Sequence, residues 1–184
     1  NAAGATLTRR VTFTNPSSGN VVTFGTSGSG VEERAQTTTA WHIDDINRWT
    51  RTVLHNNSRI DTLDALTARV NDSTETCNAY YLTNTVRFLA QSTTCANSAY
   101  SSVIYHEWGH GLDDVFGGLS TNDGLSEGNA DIVAMFRSAN AVIGDGFFRD
   151  ARIPNRLRTG LNTRRYPTIG SVHDMGEVWM GLAW

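Results

Sequence analysis

The 184-residue chain contains no lysine, so all 15 of its basic side chains are arginines. They stand against 18 Asp and Glu residues, which gives a formal net charge of −3. No basic patch stands out, and this argues against a nucleic-acid partner. An apolar run of about 18 residues, the length that a membrane-spanning helix needs, is also missing. With 39% hydrophobic residues, the chain is nevertheless rich enough in apolar side chains to form a buried core.

The chain has only two cysteines, Cys77 and Cys95. It begins at Asn1 and shows no signal-like apolar segment, so we expect a mature form from which a signal and a propeptide have been removed. The missing lysine and the many Thr, Ser and Asn residues are common in secreted microbial enzymes, and we therefore expect an extracellular protein. In that compartment an even cysteine count favours a disulfide over two buried thiols.

The hydrophobic periodicity changes along the chain and predicts two parts: a β-rich lobe over residues 1–98 and a helical lobe over residues 99–184. Alternation of apolar and polar residues predicts strands at 6–14, 20–24, 66–70, 78–81 and 85–89. Apolar residues at helical spacing predict helices over 39–54, about 99–116, about 125–138 and 173–184.

The segment His106-Glu107-Trp108-Gly109-His110 carries the clearest chemical signal. Its two histidines are four residues apart, so both imidazoles lie on one face of a helix and can reach one metal ion. Glu107 between them would lie beside that ion, where a general base accepts a proton from water that a metal has acidified. The five-residue motif also occurs in helices that bind no metal, so by itself it leaves the function open.

A zinc site with two histidines needs a third protein ligand. The extended motif HExxHxxGxxH is excluded because Asp113 and Phe116 stand where it requires glycine and histidine. Glu127 and Asp131 follow, four residues apart on another predicted helix. One carboxylate can bind the ion while the other accepts a hydrogen bond from a ligand histidine. The alternative, two solvated acids on a helix surface, is disfavoured by the apolar residues that follow Asp131.

HEWGH followed by EGNAD resembles the thermolysin-like metallopeptidases, and the EGxxD form is similar to the fungalysin family in particular. Three further segments share this resemblance: CNAYY from Cys77, Leu157-Arg158, and GSVH from Gly170. The resemblance covers roughly residues 39–184, and the order of its segments is more specific than any one motif.

The resemblance implies an α+β, thermolysin-like fold with two lobes, a shortened C-terminal helical lobe and an active-site cleft between the lobes. It also implies one catalytic zinc ion held by His106, His110 and Glu127, with Asp131 hydrogen-bonded to His106. Glu107 would be the general base.

The family's other functional positions fall on the walls of the cleft. His173 would donate a hydrogen bond to the oxyanion of the tetrahedral intermediate. The implied substrate-binding residues are Asn78, Ala79 and Tyr80 along an edge strand, Arg158 at a substrate carbonyl, and Val103 and Leu157 in an apolar pocket for the residue after the cut.

The sequence departs from the family pattern at two positions. Thr121 stands where these enzymes often place a tyrosine that also donates to the oxyanion, and Tyr166 is a candidate to replace it, although a packing role is the alternative. No acid that would orient His173 is obvious, although Asp174 is adjacent in sequence. Calcium stays open as well, since the aspartates after the zinc motif form no EF-hand loop.

We therefore expect a secreted zinc endopeptidase whose partner is a polypeptide substrate. One alternative is a non-catalytic, zinc-containing relative that binds peptides, and another is a zinc hydrolase of non-peptide amides. The retained Glu107 argues against the first, and the edge-strand segment argues against the second. The segment from Gly176 to Trp184 is apolar nearly all round, so we expect a C-terminal fragment of the same precursor or a neighbouring chain to cover it.

Overall fold

The computed structural model describes residues 30–167 and 170–184. The strands predicted at 6–14 and 20–24 lie outside these residues. The described residues form an α+β structure of four α-helices, one 3-10 helix and two small sheets. The helices are α1 (Val31–Val53), the 3-10 helix (Ser58–Ala65), α2 (Ser101–Val115), α3 (Leu125–Ser138) and α4 (Val172–Ala183). The strands are β1 (Thr67–Asp72), β2 (Ala79–Tyr81), β3 (Thr85–Leu89), β4 (Val142–Ile143) and β5 (Arg158–Thr159).

The larger sheet has the order β1-β3-β2, so β2 lies at its edge. β3 runs parallel to β1 and antiparallel to β2, with Ala79 opposite Phe88. The central strand is β-branched and aromatic, and its Val86 and Phe88 are fully buried, which suits a strand with neighbours on both sides. Among the described residues β2 is therefore the edge strand of this sheet, next to the cleft described below.

One hydrophobic cluster joins the sheet to the helices. It contains Ile46 of α1, Phe88 of β3, Trp108 of α2 and Met135 of α3, all with 0% exposure. The predicted lobe boundary at residue 98 stays a prediction. Among the described helices, none is both long enough and apolar enough to cross a lipid bilayer.

Glycines let three helices approach one another closely. A Cβ atom placed on Gly109 of α2 would lie 2.9 Å from the Cα atom of Ala130 in α3. A Cβ atom placed on Gly176 of α4 would lie 2.9 Å from the Cβ atom of Glu127 and 3.0 Å from the backbone nitrogen of Gly128. A larger residue at these positions would push the helices apart, so glycine sets the distances among α2, α3 and α4.

The disulfide prediction is confirmed, because Cys77 and Cys95 are bonded with their Cα atoms 5.3 Å apart. The bond joins the residue two positions before β2 to the segment that leads into α2. It thereby links the edge strand β2 to the segment that precedes α2, the helix that carries both histidines.

The cover of α4 is partial in the described structure. One face packs on α3, where Trp179 lies against Gly128, and Met180 is fully buried. Leu182 and Trp184 are 78% and 51% exposed, so residues 144–166 do not enclose the whole helix.

Candidate metal centre

The two histidines of α2 face the same point. The Nε2 atoms of His106 and His110 lie 3.1 Å apart. Two nitrogens that share one tetrahedral zinc ion at about 2.0–2.1 Å lie about 3.3 Å from each other. The spacing therefore fits a common metal ion.

Glu127, in the first turn of α3, supplies the third ligand type. Its Oε2 atom lies 3.4 Å from Nε2 of His106, and its Oε1 atom lies 3.7 Å from Nε2 of His110. Oε2 is buried and has no hydrogen-bond partner, which is costly for a carboxylate unless a cation neutralises it. Two imidazoles and a carboxylate form a donor set typical of zinc, so the residues present fit the metal that the sequence predicts.

Glu107 also brings a carboxylate oxygen within 4.8 Å of the ligand atoms of His106 and His110. Glu127 fits the ligand position better, because its oxygens lie 3.4 and 3.7 Å from the histidine nitrogens, whereas Glu107 forms no such close pair with either histidine. Burial raises the pKa of Glu107 to about 7, close to the range in which a carboxylate can take up and return a proton.

Asp131 lies behind His106 and has no exposed surface. Its Oδ1 atom is 2.7 Å from Nδ1 of His106, and its Oδ2 atom accepts a hydrogen bond of 2.8 Å from Nε of Arg158. Burial alone would raise the pKa of Asp131, but Arg158 and His106 outweigh it and hold that pKa well below its usual range. An ionised Asp131 fixes the ring orientation of His106, as a carboxylate behind a metal ligand does.

The two histidines differ in protonation. Burial and the neighbouring His106 lower the pKa of His110 to about 4. Burial opposes protonation of His106 as well, but Asp131 and Glu127 raise its pKa to about 9. A metal needs the neutral ring, so metal binding at this centre is coupled to release of a proton.

Sequence reasoning missed the support behind His110. The Nδ1 atom of His110 is 3.2 Å from the hydroxyl of Ser126, which donates to Oδ2 of Asp113 at 2.9 Å. Oδ1 of Asp113 also accepts the backbone N–H of Leu119. The only signal in the sequence is an acid, Asp113, about one turn after the second histidine. The structure shows that Asp113 accepts a hydrogen bond from Ser126 of α3.

Tyr81 is a second residue that the sequence did not single out. Its ring packs against Gly111 of α2, where a Cβ atom would lie 3.1 Å from Cε2 of the tyrosine. Its hydroxyl donates to Oδ2 of Asp114 at 2.7 Å and accepts the backbone N–H of Asn84 at 2.9 Å. These contacts hold the end of β2 on α2, the helix that carries both histidines.

His173, the second residue of α4, lies across the cleft from α2. Its Nε2 atom is 3.3 Å from Oε2 of Glu127, and burial lowers its pKa. Asp174 does not orient this ring, because its carboxylate caps α4 at Ser171 and pairs with Arg164. Tyr166 is half-exposed and lies 5.8 Å from the ring of Trp179.

The predicted substrate-binding residues surround two connected cavities. The larger, of about 530 Å³, is lined by the predicted edge-strand residues Asn78, Ala79 and Tyr80, together with His106, Glu107, His110, Thr121, Glu127 and His173. The smaller, of about 210 Å³, is lined by Val103 and Leu157 as predicted, with Ile143, Phe147 and Arg158. The structure brings these residues together, while their roles toward a substrate stay predictions. Arg158 also donates two hydrogen bonds to Asp131.

No protein-family model matches the chain, and no curated protein matches it. Among solved structures, the chain is similar to the precursor of protealysin, a metalloproteinase from Serratia proteamaculans, with a TM-score of 0.61 and 17% sequence identity. The match covers 73% of this chain and 46% of that one, so the chain spans less than half the length of the structure that it matches. Likeness at this identity shows the fold alone: the chain has the fold of a metalloproteinase, and membership of the fungalysin family stays a prediction.

Proposed function

We propose that the chain is a zinc-dependent endopeptidase with Glu107 as its general base. One observation carries the proposal: the carboxylate of Glu127, whose buried Oε2 atom has no hydrogen bond, faces the Nε2 atoms of both HExxH histidines, with Glu107 beside them in an open cleft. Zinc held there would act as a Lewis acid and acidify water. Fold likeness to a metalloproteinase supports the reaction class.

Each of these residues would have a separate role in the hydrolysis of a peptide bond. Glu107 accepts the proton of the attacking water and returns it to the leaving amine, which its raised pKa allows. His173, on the opposite wall, donates to the carbonyl oxygen as negative charge develops there. Asp131 and Ser126 keep the two histidines in place behind the metal.

The edge strand β2 favours a peptide over other amides. Among the described residues β2 pairs only with β3, and its other edge would bind an extended peptide as an added strand. The neighbouring pocket of Val103 and Leu157 would then take the apolar side chain that follows the cut. The disulfide between Cys77 and Cys95 supports secretion.

Two side chains support the proposal that further polypeptide covers α4. Leu182 and Trp184 leave an apolar face open at the end of the helix. We propose that a further segment of the precursor or a neighbouring chain packs there. Protection of the Trp184 fluorescence from a soluble quencher in the full assembly, but not in this chain alone, would test that cover.

Hydrolysis of a denatured protein tests the endopeptidase proposal. The chain should cleave internal peptide bonds, lose activity with phenanthroline and regain it with added zinc, and mass spectrometry should place the cuts before apolar residues. Glu107→Gln is the matched control, because it keeps the shape of the side chain but cannot accept the proton. Peptide binding without any cleavage by the zinc-loaded wild type would instead identify the non-catalytic alternative.

A further inference from the structure

We infer that a polar cleft next to the metal centre binds a carboxylate of the substrate through Arg156, on the side of the leaving amine. The inference rests on the proposed peptidase function and adds a preference for the class of substrate. It concerns substrate residues that lie beyond the one in the apolar pocket.

This polar cleft is continuous with the proposed active site. It has a volume of about 590 Å³ and contains Arg156, Asn162, Arg164, Ser171, Asp174 and Glu177 in its lining. It shares Leu157, Arg158 and His173 with the apolar pocket. An extended substrate advances about 3.3 Å per residue, so a peptide whose side chain fills the apolar pocket enters the polar cleft within its next few residues.

The two acids of the polar cleft both contact one arginine. Arg164 pairs with Asp174 at 3.1 Å and with Glu177 at 2.6 Å. Glu177 also accepts the backbone N–H of Thr159 at 3.0 Å. Arg158 is likewise matched, because it holds Asp131 with two hydrogen bonds.

Arg156 is the cation in this cleft that has no acid of its own. Within residues 30–167 and 170–184, its side chain makes neither an ion pair nor a hydrogen bond, although it is partly buried. A guanidinium group presents its N–H donors as a planar fork that matches the two oxygens of a carboxylate. Because Asp174 and Glu177 contact Arg164 instead of Arg156, Arg156 is left to bind a carboxylate that comes from a ligand, and the proposed ligand of the neighbouring site is a peptide.

A peptide can offer that carboxylate in two forms, an Asp or Glu side chain or a free C-terminus. Three peptides with the same apolar residue after the cut separate them. One has Glu in the following positions and an amidated end, the second has Gln there and an amidated end, and the third has Gln and a free carboxylate. Affinity is measured by calorimetry on the zinc-loaded Glu107→Gln variant, so that no peptide is consumed, and cleavage is measured on the wild type.

We expect the carboxylate-bearing peptide to bind about 10-fold more tightly than its neutral counterpart, as for one charge-assisted interaction at a partly exposed site. Arg156→Gln should abolish this preference without weakening the neutral peptide. Arg165→Gln is the matched control, because Arg165 is exposed and does not line the cleft. If Arg156→Gln does not fold, the wild-type preference in about 1 M salt decides, since screening should remove it.

Equal affinity for all three peptides, or a preference that survives Arg156→Gln or high salt, would overturn the inference. These binding results do not depend on turnover. An Arg156-dependent preference without cleavage would refute the peptidase function and leave the carboxylate site standing. Cleavage at the same rate with and without a carboxylate, together with equal affinities, would refute the carboxylate site and support the peptidase function.

Discussion

Replacing Asp131 with asparagine separates two roles that the structure gives to one buried carboxylate. The carboxylate orients His106 at 2.7 Å and neutralises Arg158 at 2.8 and 3.0 Å. Asparagine keeps the size and one acceptor oxygen but removes the charge. Stability and metal affinity should therefore both fall, each for its own reason.

The loss of stability follows from the burial of the ion pair. Asp131 is fully buried and the side chain of Arg158 is only 13% exposed, so Asp131→Asn leaves the guanidinium charge without its counter-ion. Breaking a buried pair in this way costs about 3–5 kcal/mol. We expect the lower end, a decrease of about 3 kcal/mol in the free energy of unfolding, because the amide oxygen still accepts one hydrogen bond. Urea denaturation of the protein in excess chelator measures this loss of stability without any contribution from bound metal.

The loss of metal affinity follows from the orientation of His106. Without a charged acceptor at Nδ1, the ring is less basic and less well fixed, and zinc affinity should fall about 10–100-fold. Competition with a chromophoric chelator measures this part directly. It requires neither substrate nor turnover.

The double variant Asp131→Asn/Arg158→Met tests the separation of the two roles. It removes both charges, so no buried charge is left without its counter-ion, which is the state that makes removal of one partner costly. Most of the lost stability should therefore return, whereas zinc affinity should stay low because His106 still lacks its charged acceptor. Recovery of zinc affinity together with stability would refute the assignment of Asp131 to His106.

Three further predictions test other parts of the structure. Glu107→Gln should keep zinc and the melting temperature while lowering kcat by about 10²–10⁴-fold, and near wild-type turnover would exclude Glu107 as the base. Replacing Cys77 and Cys95 with serine should lower the free energy of unfolding by about 3 kcal/mol, measured by urea denaturation; an unchanged midpoint would contradict a stabilising bond. Gly109→Ala places a methyl group 2.9 Å from the Cα atom of Ala130, so overpacking should cost about 1–3 kcal/mol and weaken zinc binding, and unaltered values of both would show that the helices tolerate the shift.

The sequence predicted elements best where burial imposes a clear period. The observed α2, α3 and β3 match the predictions at 99–116, 125–138 and 85–89 closely, because one face of each is apolar. The helix α1 starts at Val31 rather than at residue 39. Its first turns are polar and show no apolar period, while Glu32 and Glu33 favour a helix N-terminus through the helix dipole. The 3-10 helix was missed since only Ile60 and Leu63 are buried along it.

In the candidate site, too, contacts within one helix could be predicted from the sequence, whereas contacts between helices could not. The spacing of His106 and His110 by four residues is enough to predict that both imidazoles lie on one face of a helix. The bond from Ser126 to Asp113 depends on how closely two helices cross, and no spacing along the chain encodes that distance. For the same reason the sequence assigned Arg158 to a substrate carbonyl without revealing that Asp131 already holds it.

The crossing of α3 and α4 at Gly128 and Gly176 limits the positions at which substitutions can alter substrate preference. Because backbone meets backbone there, Glu127 and His173 belong to one rigid block, and the distance between them cannot be adjusted by exchanging side chains around it. New substrate preferences must therefore arise on the rim, at positions such as the exposed Leu82 and along the segment 144–157. A library restricted to that rim should yield altered cleavage with zinc affinity unchanged, whereas a library at the crossing should yield mostly unfolded protein.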